Sequence, residues 1–376
     1  MGATPTTINY LTEIRFGAGA VEMVAERLAD LGVANPLVVT DPGVRGAGLL
    51  DRLGLPNPAV FDGVPANPTE RSVEEGVAGY RAAGCDGIVA LGGGSPLDCA
   101  KGISLMVSHP GPLEQYAVIR GGLDKITGDM PPLIAVPTTA GTGSEVGRAA
   151  LLGLTDGTKL GFLSPHMIPT VAVCDPVLTV GLPPLLTAAT GMDAISHCVE
   201  TFCSPRYNPV AESIALDGLT RAFENLPIAV ARGERIEPRS EMMMAALQGG
   251  LTFQKGLGLI HSLSHPLGAL AGKSLHHGTL NAIFLPHVLR FNREACPGKL
   301  ERLASAIGMD RPDGLADAFD ELRERIGLPG TLRDLGLTKE DLASVIPDAI
   351  ADHSSATNPA PVDAVACAAV LDAAYQ

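Results

Sequence analysis

The sequence predicts an α/β amino-terminal domain over residues 1–182 followed by an all-α carboxy-terminal domain over residues 183–376. Three observations carry that reading. Up to about residue 180, short apolar, β-branched runs alternate with helical stretches. The strand signals then stop at Leu182-Pro183-Pro184, and long amphipathic stretches follow. A chain of 376 residues is also long enough for two domains, each with its own core.

The strand-like runs are PLVVTD (36–41), GIVALGGGS (87–95), PLIAVPTTAGTGSE (132–145) and TVAVCDP (170–176). They are apolar throughout rather than alternating, which suits strands buried on both faces of a parallel sheet. VEMVAERLADLG (21–32) and SVEEGVAGYRAAG (72–84) have helical periodicity and end at glycine, as helix C-caps do. Beyond the Pro-Pro pair, AESIALDGLTRAFENLPIAVARG (211–233) and KLERLASAIG (299–308) read as long helices.

Composition narrows the function. With 46% hydrophobic and 18% charged residues the chain reads as an ordinary soluble globular protein, and its formal charge of −14 opposes a nucleic-acid or anionic-membrane partner. The seven cysteines are odd in number, scattered and without a CxxC pair, as in a reducing compartment. The first residues lack a charged segment followed by an apolar one, and no apolar run reaches membrane-spanning length. A cytoplasmic protein is expected.

Two glycine-rich turns follow strand-like runs. IVAL leads into Gly92-Gly93-Gly94-Ser95 and then a helix-like PLDCAKGISLMV. A strand, a glycine turn and a helix N-terminus make an anion site, because free N–H groups and the helix dipole face the ligand. LIAVP is followed by Thr138-Thr139-Ala140-Gly141-Thr142-Gly143-Ser144-Glu145, and two such loops on one sheet suit a diphosphate. Asp41, at the end of VVTD, either accepts from a ribose 2′-hydroxyl, which favours NAD over NADP, or caps the turn Asp41-Pro42-Gly43. The G-x-G-x-x-G pattern is absent after this first strand.

Five of the nine histidines lie between His261 and His287. Asp193/His197 and His261/His265 are i, i+4 pairs, so each can present two polar groups from one helical face. Three imidazoles and one carboxylate make an all-N/O site for a divalent transition metal.

These elements, in this order, resemble the iron-activated (group III) alcohol dehydrogenase family. The matching pieces are VVTD (38–41), NPT (67–69), GGGSPLDCAK (92–101), PTTAGTGSEV (137–146), LPPLLTAATGMDAISHCVE (182–200), HSLSHPLG (261–268) and HHGTLNAIFLP (276–286). The resemblance implies a Rossmann-like NAD domain, a helical metal domain of the dehydroquinate-synthase-like type, and catalysis in the cleft between them. It implies metal ligands Asp193, His197, His261 and His277, with His276 as the alternative to His277. His265 would line the site without binding metal; one turn beyond His261, it either relays the proton, since an imidazole titrates in the right range, or orients a ligand or bound water. Asp41, Asn67, Gly94, Ser95, Thr138, Thr139 and Lys159 would bind the cofactor. Iron is the implied ion, with Zn²⁺ as a substitute, and a homodimer or larger homo-oligomer the implied assembly.

The implied reaction interconverts a small alcohol and its aldehyde or ketone, the metal acting as a Lewis acid while hydride passes to or from the nicotinamide. Three departures from the family pattern stand out. The segment between His265 and the His-Gly pair is about two residues longer, Phe253-Gln254-Lys255 replaces Phe-Asn-Asn, and NPAP (358–361) lacks an arginine. Lys255, six residues before His261, and Arg148, just past the TTAGTGSEV run, are candidates to hold the anionic tail of an ω-hydroxy acid or semialdehyde. The alternative for Lys255 is a solvated lysine on a helix.

Two rival activities remain. A dehydroquinate-synthase-type lyase needs several basic residues around a phosphate-bearing substrate, and only Lys159, Lys255 and Lys273 are near candidates. A non-catalytic metal and nucleotide sensor would carry a broken ligand set, whereas this one is complete.

Overall fold

The computed structural model describes residue 10 and residues 12–155, 158–270, 272–273 and 275–376. Eight strands lie among them: β1 Glu13–Phe16, β2 Pro36–Val39, β3 Ala59–Phe61, β4 Gly87–Gly92, β5 Leu133–Pro137, β6 Ala149–Gly153, β7 Lys159–Leu163 and β8 Val171–Cys174. Six of them form one sheet in the order β1-β8-β5-β4-β2-β3, with every pairing parallel. The other two, β6 and β7, make a separate antiparallel hairpin.

The chain divides into two compact units. One comprises Tyr10–Thr139 and Gly143–Gly181; the other holds Leu182–Gln376 together with Ala140–Thr142.

In the α/β unit the unbroken apolar runs are explained by burial on both sheet faces. Leu37, Val39, Ile88 and Ala90 join one core with Val73, Val77 and Ile103, while Val38, Val89 and Leu91 join a second with Val24 and Leu28. The covering helices are α1 Val24–Asp30, α2 Pro42–Gly46, α3 Glu70–Ala82 and α4 Gly94–Ser108. Thr69 and Ser72 form a capping box that starts α3, and the chain leaves it through Gly84 at φ 63°, a left-handed conformation that suits glycine.

Sequence reading did not anticipate the hairpin. Its strands, AALLG and KLGFL, alternate half-buried and buried residues, yet alanine, leucine and glycine are weak strand formers. What holds it is Lys101 of α4, which has no exposed surface. Its ammonium donates to Ser144 O at 2.7 Å, Ser144 Oγ at 2.8 Å, Gly147 O at 2.8 Å and Ala149 O at 2.9 Å. Asp98, one turn earlier, accepts from Ser144 Oγ at 2.7 Å and Leu151 N at 2.9 Å. Helix α4 thereby fastens the segment that follows the second glycine-rich loop.

The helical unit is built on α5 Pro184–Cys203, which is buried without interruption from Thr187 to Cys203. Around it lie α6 Pro209–Ala231, α7 Ile236–Leu251, α8 Leu259–Gly268 and α9 His277–Phe291, with further helices to the C-terminus. Among the described residues no helix is long and apolar enough to cross a membrane.

Burial lowers the Lys101 amine to about 8, with Asp98 and Glu145 opposing the shift, so the charge depends on its oxygen cage. Lys101→Met strands those acceptors and Asp98. Urea unfolding of the variant is expected to show a loss of about 3–5 kcal/mol; a loss below about 1 kcal/mol would show the cage to be incidental.

Candidate metal centre

Helix α5 supplies the first donors. Asp193, His197 and Glu200 are spaced by four and then three residues, so one helical face carries all three. Asp193 is 3% exposed, and a carboxylate so buried requires compensating partners. It finds three. Asp193 Oδ1 lies 3.4 Å from His197 Nε2, 3.6 Å from His261 Nε2 and 3.6 Å from His277 Nε2. The ligand atoms of Asp193, His197 and His261 all lie within 4.8 Å of one another, and His277 joins through Asp193.

His277 reaches this point because of the glycine after it. A Cβ on Gly278 would stand 2.0 Å from Ala189 O and 3.3 Å from Asp193 Cβ, so only glycine lets the start of α9 approach α5 this closely. His276, the N-cap residue of α9, is exposed instead.

The spacing has a chemical meaning. Tetrahedral donors bonded at about 2.0–2.2 Å to a divalent ion stand about 3.3–3.6 Å apart. The separations from Asp193 match that edge and are too long for good hydrogen bonds. Asn281, one turn into α9, confirms the mismatch. Its Nδ2 lies 2.8 Å from Asp193 Oδ1, 3.1 Å from His277 Nε2 and 3.3 Å from His261 Nε2, three groups for two amide protons. Its own Oδ1 is buried without a partner. A cation resolves this arrangement, so the residues present suit a divalent ion.

Outer groups orient the imidazoles. Glu200 Oε2 accepts from His261 Nδ1 in a contact of 2.5 Å, and Glu200 Oε1 accepts from Ile260 N at 2.6 Å. That turns His261 Nε2 inward. Asn358 Oδ1 accepts from Leu259 N at 3.1 Å and so anchors the start of α8. His197 has no carboxylate behind it: its ring stacks on His261 at 4.7 Å, meets Phe253 edge-on at 4.7 Å and is met by the Gly141 backbone.

His265 lies between His277 at 5.3 Å and His353 at 6.1 Å, nearly parallel to both, and its Nδ1 donates to Asp352 Oδ2 at 2.8 Å. Glu200, Asn281, Asp352 and Asn358 were not singled out from sequence. Glu200 alone left a signal there, as the next position on the Asp193/His197 face.

Lys255 contradicts the expectation placed on it. It is 1% exposed, and its ammonium donates to Phe202 O at 3.1 Å and Ser204 O at 2.5 Å, beside Glu212 at 3.3 Å. It caps the carbonyl end of α5 rather than edging a pocket, because cations are favoured at helix C-termini. Arg148 lies in the α/β unit just before β6.

In the α/β unit most of the other predicted residues follow the C-terminal ends of the parallel strands, while Lys159 opens β7 of the hairpin. The sheet order reverses between β2 and β4, the switch point where ligands bind open α/β sheets. Asp41 follows β2, and its Oδ1 accepts from Val44 N at 2.9 Å, so it caps α2. Gly94 and Ser95 open α4 after β4, and Ser95 Oγ donates to Ala66 O at 2.5 Å. Thr138 N donates to Gly92 O at 2.9 Å, while Thr139 would stand 3.3 Å from a Cβ on Gly93. Lys159 Nζ donates to Asn67 Oδ1 at 3.3 Å.

Electrostatics bear on metal uptake. Burial would raise Asp193, but His197, His261 and His277 hold it well below the usual carboxylate range. Burial lowers His197 to about 4 against the pull of Asp193. Burial also opposes charge on His261, yet Glu200 and Asp193 outweigh it and raise the imidazole to about 9. The metal-free site therefore holds a proton at neutral pH that an ion must displace. Zinc affinity, measured by chelator competition, is expected to rise about tenfold per pH unit and to level off near 9. A flat profile from pH about 6.5 upward would show that His261 carries no such proton.

Comparison with known proteins places the chain. Residues 12–176 match the iron-containing alcohol dehydrogenase family, and residues 187–375 match its C-terminal domain. The chain is 50% identical over 366 residues to 4-hydroxybutyrate dehydrogenase of Cupriavidus necator, covering 94% of this chain and 95% of the relative. The crystal structure of a 1,3-propanediol oxidoreductase superposes with a TM-score of 0.93 at 37% identity, covering 98% of this chain and 100% of the other. Sulfoacetaldehyde reductase from Bifidobacterium kashiwanohense, solved with NAD⁺, gives a TM-score of 0.90 at 30% identity over 99% of each chain. Two matched domains and near-complete coverage make this chain a member of the iron-containing alcohol dehydrogenase family, an oxidoreductase of the alcohol dehydrogenase type.

Proposed function

We propose that Asp193, His197, His261 and His277 hold one divalent ion, Fe²⁺ with Zn²⁺ as substitute, and that the enzyme uses it to interconvert a short ω-hydroxy acid and its semialdehyde with NAD. The convergence of four N/O donors at metal-polyhedron spacing carries the metal assignment. The substrate rests on the relative that shares half its residues over almost the whole chain and acts on 4-hydroxybutyrate. A neutral diol or primary alcohol is the second reading, favoured by the likeness to 1,3-propanediol oxidoreductase.

A divalent ion held by Asp193, His197, His261 and His277 would supply Lewis acidity for the alcohol or carbonyl oxygen. The chain's residues supply the rest. Glu200 fixes the tautomer of His261, which keeps an unprotonated Nε2 toward the donors once the extra proton leaves. Asp352 does the same for His265, leaving His265 Nε2 to take or return the hydroxyl proton. Gly94, Ser95, Thr138 and Thr139 would cradle the diphosphate, with Asn67 and Lys159 beside them. Asp41 would meet the ribose, its charge repelling a 2′-phosphate and favouring NAD. Burial lowers the amine of Lys159, which Asp98 opposes, so an added phosphate would meet a lysine poised to strengthen its charge.

A dehydroquinate-synthase-type reaction loses two of its three candidate cations. Lys255 caps α5, and Lys273 donates to Gly336 O at 2.7 Å beside Asp341 at 3.5 Å. We place the enzyme in the cytoplasm, where its seven free cysteines stay reduced, and expect a homodimer or larger homo-oligomer.

The test is an anaerobic assay with NAD⁺ and added Fe²⁺. Oxidation of 4-hydroxybutyrate is expected with at least about tenfold higher kcat/KM than butan-1-ol, the worth of one charge-assisted contact. His277→Ala is expected to lower activity and bound metal together by about a hundredfold. Equal use of both substrates would return the reading to neutral alcohols, and full metal retention in His277→Ala would transfer the ligand role to His276.

A further inference from the structure

The structure sets Cys203 and Cys296 side by side. Cys203 is the last residue of α5 and is buried; Cys296, half-buried, is the N-cap residue of α10, Pro297–Ala306. Shared neighbours join them. Lys299 of α10 donates from its backbone N to Cys296 O at 3.0 Å and from its ammonium to Cys203 O at 3.3 Å. Cys296 Sγ–H donates to Asn292 O at 3.5 Å, and Asn292 and Cys203 line one small cavity of about 10 Å³. The Cys203 thiol in turn donates to Cys296 Sγ, so the two sulfurs meet directly.

Charge around this contact leans positive. The ammonium groups of Lys255 and Lys299 both lie 2.5–3.1 Å from the carbonyls of Phe202 and Ser204, and Arg302 stands over the Phe202 ring at 4.8 Å. These three cations share the carboxylate of Glu212 at 3.3–3.4 Å. Lys255 belongs to the Phe253-Gln254-Lys255 departure from the family pattern, so part of this field is particular to this chain. The two thiols differ in consequence. The hydrogen bond from Cys203 lowers Cys296, burial opposes it and the Lys299 charge adds to it. Donating that bond, together with burial, holds Cys203 well above the ordinary thiol range. Cys296 also meets solvent, between the exposed residues Ala295 and Pro297. An accessible sulfur that ionises first, backed by a protonated second one, is the arrangement of an attacking and a resolving thiol.

We propose that Cys296 and Cys203 form a reversible oxidation site, at which hydrogen peroxide oxidises Cys296 and Cys203 then closes a disulfide between the end of α5 and the start of α10. In the first step the Cys296 thiolate attacks one peroxide oxygen. An S–O bond forms, the O–O bond breaks, and hydroxide leaves with the electron pair, to be neutralised by the proton Cys296 had given to solvent. In the second step Cys203 sulfur attacks the sulfenic sulfur of Cys296. The S–S bond forms, the S–O bond breaks, and the departing oxygen leaves as water with the Cys203 proton. The two thiols lose two electrons and two protons, and one peroxide becomes two waters. The cavity beside Cys203 leaves room for the sulfurs to close to the disulfide length of about 2.05 Å. The bond would tie the helix that carries Asp193 and His197 to α10.

The experiment uses the full-length enzyme purified with redox-silent Zn²⁺ in place of iron and desalted. It is treated with a small excess of hydrogen peroxide at pH 7 and digested without reduction for mass spectrometry. The expected product is the Cys203 and Cys296 peptides linked with loss of both thiol hydrogens, reversed by dithiothreitol, while the other cysteines stay reduced. In Cys203→Ser the sulfenic acid on Cys296 is expected to persist and to be trapped by dimedone. Cys85 is the internal standard, because it too is half-buried but burial and Asp86 raise its thiol. Iodoacetamide is expected to alkylate Cys296 at least about tenfold faster than Cys85 at pH 7, the ratio that one unit of thiol acidity gives. Lys299→Met is expected to cut that advantage several-fold, and Lys299→Arg, which keeps the charge, to preserve it. The wild-type measurements need no variant to fold. A Cys296 no faster than Cys85, oxidation spread over all the cysteines, or an over-oxidised Cys296 beside a reduced Cys203 overturns the proposal.

Discussion

The helical unit is organised by one buried carboxylate. Asp193 sits at the middle of a helix that is buried from Thr187 to Cys203, where an uncompensated negative charge would cost several kcal/mol. Everything nearby answers that cost. His197 follows one turn along the same helix, His261 enters from α8, and His277 enters from α9 through the close approach that Gly278 allows. Without an ion the compensation comes from the neighbouring imidazoles, which hold Asp193 well below the usual carboxylate range while Glu200 and Asp193 raise His261. With an ion bound it would be a divalent charge, so folding and metal uptake act on the same groups.

A second layer gives the donors direction. Glu200 holds the outer nitrogen of His261, Asp352 holds that of His265, and Asn358 ties the start of α8 to Asn292 through their side chains. These contacts give three helices a site with defined tautomers, since a neutral imidazole whose outer nitrogen donates presents its inner nitrogen as a lone pair; for His261 that follows once its extra proton has left. His197 differs, because no carboxylate holds its outer nitrogen; stacking on His261, the edge of Phe253 and the Gly141 backbone set its ring. Charge at the far end of α5 is handled separately. Lys255 and Lys299 both donate to the carbonyls around Phe202 and Ser204, completing the helix whose middle holds Asp193.

Much of this was legible in the residues, and the failures have physical reasons. The unbroken apolar runs were legible as parallel strands buried on both faces, because successive residues such as Val38 and Val39 serve opposite cores. The i, i+4 pairs Asp193/His197 and His261/His265 were readable because helix geometry fixes their direction locally. Asp352 was not, since it meets His265 across 87 positions of chain and no local pattern encodes that. Lys255 misled through proximity in sequence: six residues before His261 it enters a short 3₁₀ turn, Phe253–Lys255, that aims it at the end of α5. The β6–β7 hairpin escaped because its stability resides in Lys101 and Asp98 of α4, not in its own residues.

The central claim is that Asp193 and the three imidazoles around it constitute one metal site. Anomalous diffraction from crystals grown with Zn²⁺ or anaerobically with Fe²⁺, recorded at the absorption edge of the metal, tests it most directly. The account predicts a single peak about 2.0–2.2 Å from Asp193 Oδ1 and from the Nε2 atoms of His197, His261 and His277. A peak bonded to His276 in place of His277, or no peak among these side chains, would contradict it.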